Sequence, residues 1–316
     1  MQAQEIMHHM DQKGLFFPIH EQPAYFEVMD ENGKPFDVPS YQEVANRKLL
    51  MNNKNKVIGL VSKQYRTVTN EEIEEKFVKQ LCESSINRDG MTIDCRYAND
   101  GARSMVQMKF PAHEIDVKGD KSILEIVTKN SYDGMWKFSV RGGACRMACL
   151  NGMLLGAWAA AYSEQHNSKL SITHAAKKIV TILDDFIETP KQWADMMDRP
   201  VDDTKAWKVI RKYNKHDDRE IPMTWHRNPG TGKVCITNSD TRMAVNGSTR
   251  MMDHYLRREA KDIGKNAFAL YNTLTHQATH GTTTDRSEAI TLDNRMRSVA
   301  RVLDSRYWKW NIMGWQ

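Results

Sequence analysis

Basic residues interleaved with aromatics recur at Tyr65-Arg66, Trp136-Lys137-Phe138, Lys205 to Tyr213, and Arg306-Tyr307-Trp308-Lys309-Trp310. Such mixtures suit unpaired nucleic-acid strands, because cations neutralise phosphates while aromatic faces stack on bases of any sequence. Each cluster also has a plainer reading: Trp136 and Phe138 fit a core, and Lys205 to Tyr213 fits an amphipathic helix. Other patterns suggest chemistry but lack parts of it. Gly230-Thr231-Gly232-Lys233 has one residue where a phosphate loop needs four and is followed by Val234, so a hairpin turn is expected. His276 and His280 have metal-compatible helical spacing, with no acid between them and no third ligand indicated. Cys145 and Cys149 lack a second pair of soft ligands and fit small core positions. The doublets Asp184-Asp185, Asp202-Asp203 and Asp217-Asp218 fit solvated or helix-end charge, and no strained G-x-S-x-G nucleophile turn occurs. No catalytic constellation, metal site or cofactor is expected.

The elements that must position these residues follow from composition and periodicity. The 316 residues are 40% hydrophobic and 27% charged with both signs interspersed, which excludes a disordered chain and a membrane-spanning one. A net charge of +5 and a pI near 8.8 permit a phosphate-rich partner without requiring one. The five scattered cysteines form no CxxC pair, and no leader or long apolar run is visible, so a cytoplasmic protein with reduced thiols is expected.

An α+β fold is expected: an antiparallel sheet with hairpins packed against helices, then a mainly helical C-terminal half. The divisions predicted are an N-terminal arm (1–55), a sheet core (56–196), a polar insertion with a short hairpin (197–248), and terminal helices with an aromatic tail (249–316). In the arm, Pro18, Pro23, Pro35 and Pro39 argue for irregular chain or small β elements. Lys56 to Ser62 predicts a buried strand, and Thr69 with Glu72 predicts a capped helix start. Met91, Ile93, Cys95 and Tyr97 alternate with polar residues before Asn99-Asp100-Gly101, which predicts a hairpin returning through Val106, Met108 and Phe110. A third strand is expected over Ile123 to Thr128, and helices over Met153 to Tyr162, Ser171 to Phe186, Thr249 to His280 and Ser287 to Ser305.

Trp136, Phe138 and Val140 alternate with Lys137, Ser139 and Arg141. If Gly142-Gly143 closes a tight hairpin, Arg146 joins Lys137 and Arg141 on a basic face; alternatively a helix begins at Ala144.

Val57 to Val68 resembles the entry strand of the domain-of-unknown-function 932 family of phage- and plasmid-borne proteins. Asn130-Ser131-Tyr132-Asp133-Gly134 resembles its N-S-[HY]-D-G turn, and Arg146 to Gly152 its R-x-x-C-x-N-G signature. Asn266 to Gly281, leading to Arg286, is similar to its closing helix, and the likeness runs in order from Val57 to Leu303. In outline the family is similar to the RAD fifty-two type of single-strand annealing proteins. The resemblance implies a non-enzymatic, homo-oligomeric mediator that holds single-stranded DNA, or RNA, in a bacterial host cell. Under that reading Lys137, Arg141 and Arg146, helped by Arg66, contact phosphates, and Tyr65 and Tyr132 contact bases. Two alternatives stand beside it: a metal-dependent nuclease using Asp133, Glu125 and His280, and a counter-defence protein that binds a host protein.

Overall fold

The computed structural model describes residues 1–146, 151–154, 162–214, 225–227, 230, 234–236, 242–280 and 288–314. Antiparallel sheets fill the N-terminal half and helices most of the C-terminal half, an α+β architecture. Among the described residues no helix is long and apolar enough to cross a membrane.

The first 55 residues are more ordered than their prolines suggest. A helix α1 (Ala3–Gln12) precedes β1 (His20–Glu27) and β2 (Tyr41–Met51), and β2 pairs with β3 (Val57–Ser62) in an antiparallel sheet of order β1-β2-β3. The prolines sit where a sheet tolerates them: Pro23 beside a register irregularity, and Pro35 and Pro39 in the β1–β2 connection. Ile6, Met10 and Leu15 enter the main core, whereas β1 and β2 are mostly exposed and Leu50 packs in a separate small cluster with Ile58 and Val61.

Helix α2 (Asn70–Glu83) starts at Thr69, whose hydroxyl accepts from the Glu72 N–H. The main sheet is built from β4 (Thr92–Ala98), β5 (Arg103–Val117), β6 (Asp120–Ser131), β7 (Phe138–Arg146) and β8 (Asn151–Leu154), hydrogen-bonded in that order, with β9 (Tyr162–Glu164) also on β7. The β4–β5 hairpin turns where expected, because Asn99, Asp100 and Gly101 all take positive φ. One face of this sheet, including Val106, Met108, Leu124, Ile126, Phe138 and Val140, packs against α2 and α3 (Ile172–Met197). There Phe77 meets Phe138 edge-on, with ring centroids 6.3 Å apart.

Glycine at 59 is required by close approach: a Cβ there would lie 2.1 Å from the Tyr132 carbonyl oxygen, so only a bare backbone lets β3 cross the end of the main sheet. Helix α4 (Asp203–Tyr213), which holds the basic run, buries Trp207, Val209 and Ile210, as an amphipathic helix does. The insertion also carries the short hairpin of β10 (Trp225–Arg227) and β11 (Val234–Ile236). The C-terminal helices are α5 (Arg242–His254), a π-helical turn (Tyr255–Glu259) running into α6 (Ala260–Ile263), α7 (Ala267–His280) and α8 (Glu288–Leu303).

Two sequence expectations change. Gly142 and Gly143 close no hairpin: both lie inside β7, paired to Ile126 and Glu125 of β6. Asn151–Leu154 and Tyr162–Glu164 are strands rather than parts of a helix, and the residues between them, with Cys149, fall outside the described residues.

Glu74 of α2 is fully buried beneath the sheet and accepts a hydrogen bond from Thr128 Oγ1 at 2.9 Å. Burial pushes its carboxyl up to about 7, against the opposing effect of Thr128. Between pH 4.5 and 7 the folded chain holds this proton and the unfolded chain releases it, so the contribution to stability falls as pH rises through that window. Glu74→Gln should therefore gain melting temperature relative to the parent between pH 5 and pH 8. A difference that stays constant with pH in a thermal-shift series would contradict this.

Candidate nucleic-acid interface

Strand alternation puts Arg96 of β4, Arg103 and Lys109 of β5, Lys129 of β6 and Arg141 of β7 on the second face of the main sheet. Glu125 shares that face, and Asp94 at its edge pairs with Arg96 at 2.9 Å. Helix α8 lies across the middle of this face and brings Asp293 onto it. The buried Asp293 carboxylate bonds the Lys129 ammonium, and it also meets Arg297 at 2.8 Å. Trp136 sits beneath these cations, its ring 5.0 Å from Lys129 Nζ and 5.6 Å from the Arg103 guanidinium. Trp136 thus belongs to a small cluster under α8 with Met105, Ala289 and Leu292, on the opposite side of the sheet from Phe138 and Val140.

Two spaces flank α8. The larger, a cleft of about 860 Å³, runs between β3, the turn before β7, and the end of β9. Arg47, Lys129, Lys137, Arg141 and Arg297 line it, with Tyr65 and His166 on one wall. Among the described residues that line it, Asp133 is the one acid, and Arg103 engages its carboxylate at 2.7 Å. The smaller, a recessed pocket of about 290 Å³, lies between the sheet and the ends of α7 and α8 and shares Lys129 and Arg141 with the cleft.

Burial sets the electrostatics of this face. It lowers the Lys129 ammonium to about 8, helped by the charge of Arg141 and opposed by Asp293. Burial raises the Glu125 carboxyl to about 7, against the charge of Lys109 and the Gln107 hydrogen bond. It lowers His166 to about 4, and His276 to about 4 with the help of the neighbouring His254 and His280. Those three histidines form a stack, with centroid spacings of 4.0 and 4.6 Å.

Of the residues expected to contact a strand, Lys137 is exposed at the rim of the cleft and Arg141 forms its inner wall. Tyr65 is in the wall, its hydroxyl donating to the Ser131 carbonyl at 2.6 Å and its ring stacked on His166 at 4.8 Å. Arg66 turns elsewhere: its guanidinium donates to the Leu170 carbonyl and lies 3.7 Å from Glu72.

Tyr132 and Arg146 must be reassigned. Tyr132 is 1% exposed and its hydroxyl accepts from the Asn70 N–H at 3.0 Å, so no base reaches it. Because β7 runs straight through both glycines, Arg146 has the parity of Phe138 and Val140 and points to the other face. There it is buried against Asp120 at 2.6 Å and Glu259 at 2.8 Å, out of reach of a phosphate in the cleft.

The Asn130 to Gly134 turn is held by its own side chains. Asn130 Nδ2 donates to the Val68 carbonyl and to Asn70 Oδ1, Asp133 Oδ1 accepts from the Met135 N–H, and Gly134 has φ +70°. These bonds present Met135 to Lys137 at the cleft. Tyr132→Phe should cost about 1–3 kcal/mol by leaving the Asn70 N–H unpaired. Oligonucleotide affinity of the folded variant should stay at the parent value, and a loss of affinity without loss of stability would restore Tyr132 as a contact.

Sequence reasoning missed Arg47, Lys129 and Arg297. Lys129 carried a signal, the i, i+2 alternation with Glu125 and Val127 opposite Leu124, Ile126 and Thr128. Arg47 and Arg297 reach the cleft only through tertiary packing of β2 and α8.

A family model described as a domain of unknown function (DUF932) matches residues 57–303. No curated protein and no solved structure gives a match.

Proposed function

We propose that this chain, which belongs to the DUF932 family, binds single-stranded nucleic acid by its phosphates along the open cleft and serves as a non-enzymatic mediator of recombination or annealing. The observation that supports this reading is the sign of the cleft: among the described residues five cations and one acid line it, and that acid is already engaged by Arg103. Asp293 neutralises part of Lys129 and Arg297 and its charge also acts on Arg141, so the field at the opening comes mainly from the exposed Arg47 and Lys137. A cleft of this volume is of the size of a ligand site and takes a short unpaired segment rather than a duplex. Stacking contributes less than the aromatic content suggests, because Trp136 and Tyr132 are buried and one face of Tyr65 is covered by His166. Annealing work also calls for several copies acting side by side, in the cytoplasm of a bacterial host of a phage or plasmid. The outline likeness to RAD fifty-two type proteins adds no support, since no solved structure matches.

The nuclease alternative needs Asp133, Glu125 and His280 in one group. Glu125 and His280 line the recessed pocket, whereas Asp133 lies in the cleft and is paired to Arg103. Added Mg²⁺ or Mn²⁺ should accordingly leave a bound oligonucleotide intact.

Lysine footprinting tests the cleft. A bound single strand should protect the exposed Lys137 from acylation while leaving Lys191, 79% exposed on α3, as reactive as before. Equal reactivity of Lys137 with and without a saturating strand would contradict the assignment, and absence of any single-strand binding would favour a protein partner.

A further inference from the structure

The recessed pocket is built for a different occupant from that of the open cleft. Its volume, about 290 Å³, lies near the lower end of the roughly 300–1,000 Å³ found for small-molecule sites. Gly142 and Gly143 contribute only backbone to its lining beside Arg141. Lys109, Arg96, Lys129 and Arg141 give it a cationic wall, on which Arg96 is paired to Asp94 and Lys129 to Asp293, itself in the lining, while Met105, Val127, Leu292 and Met296 give it an apolar one. Between them lie Gln107 and Glu125. Gln107 Nε2 donates to the Glu125 carboxylate, and Gln107 Oε1, on a side chain only 9% exposed, has no hydrogen-bond partner. A buried amide oxygen without a donor is destabilising, and a ligand N–H or O–H would relieve it.

These walls ask for three features in one molecule: an anion, a flat or apolar body, and hydrogen-bond donors. Inorganic phosphate offers only the first, and a nucleoside lacks it. We infer that this pocket is a binding site for a nucleoside monophosphate, its phosphate held by the cations around Lys109, its base against the apolar wall and its donors toward Gln107 and Glu125. The nucleotide is either free or the phosphorylated end of a strand. Lys129 and Arg141 border both spaces, so a strand in the cleft can place its last nucleotide here. The site itself stands apart from the cleft reading, and only its filling by a strand end rests on that reading.

Calorimetric titration of the full chain tests the site, with AMP, GMP, CMP and UMP and their deoxy forms, adenosine and guanosine, and inorganic phosphate as probes. At least one monophosphate should bind ten-fold or more tightly than its nucleoside and than phosphate. Lys109→Met and Gln107→Leu, which border the pocket and not the cleft, should weaken that binding ten-fold or more, whereas Arg47→Ala with Lys137→Ala should leave it unchanged. Circular dichroism checks the fold, and if either pocket variant melts early, protection of Lys109 from acylation by the monophosphate in the parent protein takes its place. The inference is overturned if no monophosphate binds at millimolar concentration, if both pocket variants bind like the parent, or if Lys109 is not protected. Competition with oligonucleotides phosphorylated at either end, against hydroxyl-ended controls, identifies the source. Displacement by a phosphorylated end alone means a strand terminus, and no displacement means a free mononucleotide.

Discussion

Replacing Arg146 with Met should destabilise the protein by roughly 3–5 kcal/mol while leaving the cleft intact in whatever fraction stays folded. The side chain is 4% exposed and is the cation between two buried acids, Asp120 and Glu259. Burial already outweighs the help Arg146 gives Asp120, whose carboxyl stands above its usual range. Glu259, despite its burial, is held below its usual range by the hydrogen bond from His254 and the charge of Arg146. Removing the guanidinium would leave one of these acids charged without compensation or force it to protonate. Adding Asp120→Leu and Glu259→Met should return much of the loss, since apolar groups that fill the same space need no partner. Urea denaturation of the single and triple variants measures both. An Arg146→Met protein that is as stable as the parent but has lost oligonucleotide affinity would make Arg146 a phosphate contact instead.

The second large effect is on binding. Arg47 and Lys137 are exposed at the cleft, so replacing both with Ala should change stability by about 0.5 kcal/mol or less. Each phosphate contact on a single strand contributes about 0.7 to the slope of log affinity against log salt, so the double variant should lose about 1.4 from it. The loss of affinity should be greatest at low salt and nearly independent of sequence, because phosphates carry no base information. A double variant with the parent slope would move the phosphate path off this cleft.

How far the sequence could lead depended on whether each feature was local. The β4–β5 hairpin was legible because alternation and the Asn99-Asp100-Gly101 turn agree, and α2 because Thr69 caps its own helix. Parity does not extend to Trp136 and Lys137, because β7 begins at Phe138, but by parity Arg141 was legible as lying opposite Phe138 and Val140. Arg146 was not, since Gly142-Gly143 looks like a turn, and only the continuous pairing to β6 shows that the strand goes on and reverses the side on which Arg146 lies. Tyr132 looked like the tip of a turn, and it is buried because Gly59 lets β3 close over it, a contact between residues more than seventy positions apart. The cleft's cations come from β2, β6, the turn before β7, β7 itself and α8, and no single stretch of chain displays them together. The prolines before residue 40 left irregular chain and small β elements both open for a related reason: whether a proline breaks a strand depends on which edge or irregularity it meets.

The central claim, that the cleft beside β7 holds unpaired strands by their phosphates, is tested most directly by fluorescence anisotropy of a labelled oligonucleotide titrated with the parent protein at several salt concentrations. With Arg47 and Lys137 each neutralising a phosphate, log affinity should fall against log salt with a slope of about −1.4 or steeper. A slope near zero, or no binding at the lowest salt, would contradict the claim.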